Sequence, residues 1–85
     1  MIFQVECGSR NRYSDIINAL EKSNDYHIVY KGQDNMNPIA LLFECDDQDF
    51  DKVSRHAEKL IKATRYGRMI SFRIVPQGSV VYYKK

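Results

Sequence analysis

The apolar residues of this chain change their spacing four times, and that rhythm limits the fold more than anything else in the sequence. Over residues 2–7, Phe3, Val5 and Cys7 alternate with Gln4 and Glu6, which is the period of a strand with one buried face. Gly8-Ser9 interrupts it. Tyr13, Ile16, Ile17 and Leu20 then recur at helical spacing up to about Ser23, with Ser9 or Asn11 as the expected N-cap. Tyr26 to Lys31 returns to β-branched and aromatic residues. Turn formers fill Gly32 to Pro38, and Ile39 to Cys45 reads as a third strand. Phe50, Val53, Ala57, Leu60 and Ile61 make the apolar stripe of a second helix, expected from Phe50 to Thr64. Asp46, Asp47 and Asp49 suit its positive N-terminal end. Tyr66-Gly67 is its expected stop, with Gly67 in a left-handed conformation. Met69 to Val75 alternates again, 76–79 is a turn, and Val80 to Tyr83 is a short fifth strand.

The order β-α-β-β-α-β plus one strand has a natural packing solution. Two helices cover one face of an antiparallel sheet, in the ferredoxin-like α+β arrangement with an added C-terminal strand. The 85 residues are expected to form one domain. Parity assigns side chains to the two sheet faces. Ile39, Leu41 and Phe43 are expected toward the helices, with Tyr26, Ile28 and Tyr30 beside them. The open face then receives Gln4, Glu6, His27, Val29, Lys31, Ala40, Leu42, Glu44, Met69, Ser71, Arg73 and Val75. Cys7 and Cys45 fall at opposite ends of antiparallel neighbours, too far apart for a disulfide, so two free thiols are expected.

Charge is divided along the chain. The first 58 residues hold eleven acids and six bases, a net of −5, while residues 59–85 hold seven bases and no acid. The basic tract carries tyrosines, so it attracts anions and offers rings for stacking. The expected nucleic-acid-binding residues are Lys59, Lys62, Arg65, Tyr66, Arg68, Arg73, Tyr82, Lys84 and Lys85. An acidic protein surface is the alternative partner for the same residues. Lys52, Arg55, Lys59 and Lys62 also form a stripe opposite the apolar face of the second helix, a pattern that many plain solvated helices share. The RNA-recognition signature of stacking aromatics on the third strand is missing, since that strand reads Ile-Ala-Leu-Leu-Phe-Glu-Cys. A second expectation is an interaction module, either a homodimer or a regulator of a larger partner. It would dock through Val29, Leu42, Met69 and Val75 on the open sheet face.

Other chemistry finds little support. Cys7, Cys45, His27 and His56 lack the close pairing that zinc ligands need, so no metal is expected. Asp47, Asp49, Asp51 and Glu58 match calcium-loop positions, but Lys52 stands where that loop needs glycine. Gly8 to Arg12 could meet a phosphate at a helix start, yet it lacks the P-loop ending. Neither histidine can be paired with a nucleophile from sequence, so no enzyme activity and no cofactor are expected. No apolar run reaches the length of a membrane span, and no export signal is visible at the first residues. A cytoplasmic protein is therefore expected.

Overall fold

The computed structural model describes residues 1–77. Strand β1 spans Ile2–Cys7, β2 Ile28–Gln33, β3 Ala40–Cys45 and β4 Phe72–Pro76. Helix α1 spans Tyr13–Glu21 and α2 Phe50–Lys62. The strands form one antiparallel sheet in the order β2-β3-β1-β4. This α+β arrangement of four strands and two helices is compatible with a ferredoxin-like fold. The expected fifth strand lies outside the described residues.

The alternation in β1 and β3 holds. Phe3, Val5, Cys7, Leu41, Phe43 and Cys45 are all buried, and they meet Ile16 and Leu20 of α1 and Val53, Ala57 and Ile61 of α2. Phe3 stacks on Phe43 with ring centroids 5.6 Å apart. Tyr30 completes the row at 5.4 Å from Phe43. Both cysteines are buried, and they are free, as their places at opposite ends of the β1–β3 pair require.

Several boundaries move, each for a local reason. Helix α1 is preceded by a 3-10 turn at Arg10–Arg12, so Arg12 is the N-cap and neither Ser9 nor Asn11 caps it by a side chain. Strand β2 starts later than expected, at Ile28, and continues past Lys31. Its register shifts between Tyr30 and Gly32, where Gly32 takes φ +109°. A positive φ admits the extra residue of a bulge, so the apparent turn former prolongs the strand. Ile39 precedes β3 and is 41% exposed, so it does not join the core. Of the three acids expected at the start of helix α2, Asp49 is the N-cap, accepting a hydrogen bond from the Lys52 N–H. It closes at Lys62, and consecutive turns occupy 63–69. Met69 therefore sits in a turn rather than on the sheet, and is 81% exposed.

Gly67 is needed for a different reason than a left-handed cap. Its φ is not positive. A Cβ there would stand 1.9 Å from the Ile61 carbonyl oxygen and 2.7 Å from the Lys62 Cα. The returning chain passes directly over the end of α2, and only a residue without a side chain fits.

Candidate phosphate-binding site

The described basic residues of the C-terminal third do not gather in one place. Lys59, Lys62, Arg65, Tyr66 and Arg68 lie at the C-terminal end of α2 and in the turns after it. Arg73 lies on β4, opposite Glu6 of β1. Its Nε and Nη2 donate to Glu6 Oε1 at 2.9 and 2.8 Å. Gln4 Nε2 and Asn37 Nδ2 donate to Glu6 Oε2 at 2.9 and 3.1 Å. The Glu6 side chain is only 10% exposed, so this carboxylate is held by several donors and holds Arg73 in turn. Arg73 is thus neutralised on the open sheet face, away from the α2 stripe. Tyr82, Lys84 and Lys85 lie outside the described residues.

At the α2 end the central feature is Tyr66. The Arg12 guanidinium carbon sits 3.6 Å from its ring centroid, and that of Arg65 sits 5.3 Å from it. Each is within range of an attraction between cation and ring quadrupole, worth about 0.5–1 kcal/mol at an exposed site. Two positive groups are therefore held beside one ring. Their only ion-pair partner among the described residues is Asp15, whose Oδ2 is 3.6 Å from Arg12 Nη1. Lys62 pairs with Glu58 at 2.8 Å, one turn back along α2. Lys59 and Arg68 are exposed and have no ion pair among the described residues. Arg12, Asp15, Asn18, Lys22, Thr64, Arg65 and Tyr66 line a groove between α1 and the turns after α2.

Sequence reasoning had missed Arg12 in this cluster. It stands in the acidic part of the chain, 54 positions before Tyr66. The segment Gly8 to Arg12 is a phosphate candidate in the sequence, but only the fold brings its last residue to the basic tract. The Arg12 contact also changes what Tyr66 can do. A ring already covered at 3.6 Å leaves little room for a base to stack on that side, whereas the covering guanidinium still presents N–H groups outward.

The open sheet face is less apolar than its alternation suggests. Val29 on the β2 edge is 36% exposed, and Leu42 on β3 and Val75 on the opposite edge strand β4 are half-buried. Between them stand Gln4, which is 2% exposed, and two ion pairs, Glu6–Arg73 and Lys31–Glu44 at 3.6 Å. Met69 is not part of this face. Asp47 and Asp49 are used locally: Asp47 Oδ1 accepts from the Asp49 N–H at 2.7 Å, and Asp49 caps α2. No group of three or more metal-ligating side chains occurs among the described residues. No helix among them is long and apolar enough to cross a membrane.

No family model, no curated protein and no solved structure matches this chain.

Proposed function

We propose that the chain is a nucleic-acid-binding accessory module that grips the phosphate backbone at the C-terminal end of α2. Arg12 and Arg65 flank Tyr66 as the centre of the grip. Lys59 and Arg68, exposed and without an ion pair among the described residues, add positive charge to it, and Lys62 joins when Glu58 releases it. The observation that carries the reading is the pair of guanidiniums on one ring, 3.6 and 5.3 Å from its centroid, with a single carboxylate nearby. Like charges held together store repulsion that an anion relieves, and guanidinium geometry fits phosphate oxygens in a bidentate way. Recognition through phosphates carries no base information, so binding is sequence-independent.

The test is a titration of isotope-labelled protein with mixed-sequence single- and double-stranded oligonucleotides, read by backbone amide shifts. Expected shifts cluster at residues 10–15 and 59–69. If three or four phosphates are neutralised, affinity falls roughly 40- to 150-fold as salt rises from about 50 to about 200 mM. An Arg12→Glu, Arg65→Glu double variant is expected to abolish binding while keeping its fold. Unchanged binding by that variant, or no shifts at low salt, would overturn the reading and turn the search to an acidic protein partner.

A further inference from the structure

A second constellation lies elsewhere, where the segment after α1 meets the outer side of α2. Ser23 Oγ is 2.8 Å from His56 Nε2. His56 Nδ1 is 3.6 Å from Asp25 Oδ2. The Tyr26 N–H donates to Ser23 Oγ at 3.2 Å, and the Tyr26 ring packs edge-on against the imidazole with centroids 5.0 Å apart. These contacts leave His56 with 18% of its side chain exposed, and Ser23 stays partly open to solvent.

The proton positions are an assignment from charge, with Asp25 largely exposed. The Asp25 carboxylate beside Nδ1 favours the tautomer with its proton there, by field rather than by a full hydrogen bond at 3.6 Å. Nε2 then carries the lone pair and accepts the Ser23 O–H. The hydroxyl oxygen, which already receives the Tyr26 N–H, has no other proton to give. A serine in this position faces a fixed base, and its neighbouring amide stabilises negative charge that develops on oxygen.

We propose that Ser23 is a base-activated nucleophile that accepts an acyl group from small activated carboxylic esters. Ser23 Oγ attacks the ester carbonyl carbon while His56 Nε2 takes its proton. The carbon–oxygen bond to the alcohol breaks, and the alcohol leaves with the proton returned by His56. Acyl-Ser23 and free alcohol result, with no change of oxidation state. Water can later release the acid by the same proton path. Asp25 is a positioning residue in this scheme.

The probe is p-nitrophenyl acetate at neutral pH, with early time points quenched in acid and acetylated residues mapped by peptide mass. Ser14, exposed in the first turn of α1, is the internal control within the same molecules. General-base help is worth roughly a hundred-fold or more, so Ser23 should acetylate at least about a hundred times faster than Ser14. His56→Gln, checked for folding by circular dichroism, should bring Ser23 down to the Ser14 rate. Equal rates at Ser23 and Ser14 in the unaltered protein would overturn the proposal without any variant. So would a Ser23 rate that survives His56→Gln.

Discussion

At the scale of single residues, the sharpest constraints fall where a polar group is placed by one contact. Tyr13 is an example. Its hydroxyl donates to the Cys7 carbonyl at 2.8 Å and so ties the first turn of α1 to the end of β1. Burial is the largest influence on its ionisation, with the nearby Cys7 acting in the same direction and Arg10 against, so its pKa is raised above the usual value. A raised tyrosine pKa means the unfolded chain gives up the proton first. The stability it contributes is whole below about pH 10 and is lost as pH rises through the folded value. Urea midpoints measured from neutral to alkaline pH should fall more steeply for the native chain than for Tyr13→Phe. At neutral pH the variant should lose about 1 kcal/mol for the missing hydrogen bond. Cys45 shows the same direction of shift, chiefly from burial, and the Asp46 and Asp47 charges add to it against a backbone hydrogen bond at Asp47. Its thiol is correspondingly poor as a nucleophile in the folded protein.

At the scale of elements, the passage from α2 to β4 is the tightest joint. Gly67 →Ala would drive a methyl group into the Ile61 carbonyl at 1.9 Å, against backbone that cannot swing aside. A loss toward the upper end of about 1–3 kcal/mol is expected in thermal or chemical unfolding, and near-neutral stability would show that the joint is slack. This joint also shows what a sequence can and cannot announce. The stripes Ile16–Leu20 and Val53–Ala57–Ile61 and the alternation of Phe3, Val5, Leu41 and Phe43 were legible because period alone decides which side is buried. The need for glycine at 67 was legible too, but its reason was not, since a close approach between segments leaves no local signature. The bulge at Gly32 was hidden for a similar cause: a turn former and a bulge former are the same residue. Of the candidate site, Arg65, Tyr66 and Arg68 were legible as a basic, aromatic cluster. Arg12 was not, because its proximity to Tyr66 depends on how α1 packs on α2. The Ser23–His56 contact was likewise invisible, joining the segment after α1 to α2 over 33 positions of sequence.

At the scale of the whole molecule, the charge division of the sequence becomes a division of space along α2. Asp46, Asp47, Asp49 and Asp51 stand at its start, and Lys59, Lys62, Arg65 and Arg68 at or beyond its end. Acids before and bases after also agree with the helix dipole, so part of this pattern serves the helix itself. Arg73 faces the opposite side of the sheet layer and is engaged by Glu6. The two arginines should therefore behave differently in oligonucleotide binding. Arg12→Ala should reduce the slope of log affinity against log salt by about one, whereas Arg73→Ala should leave it unchanged. Equal effects would mean that the ligand wraps both faces. The same variants separate binding from folding, since Arg73→Ala removes a donor from the Glu6 cluster and should show mainly as lost stability.

The position of Arg12 over Tyr66 has a magnetic consequence. A guanidinium carbon 3.6 Å from a ring centroid brings the N–H and Cδ–H protons around it near the zone where aromatic ring currents shield. The Arg12 side-chain resonances should lie upfield of those of the other arginines. A ligand that draws the guanidinium off the ring would carry them back downfield, so one residue reports on its own engagement without any added label.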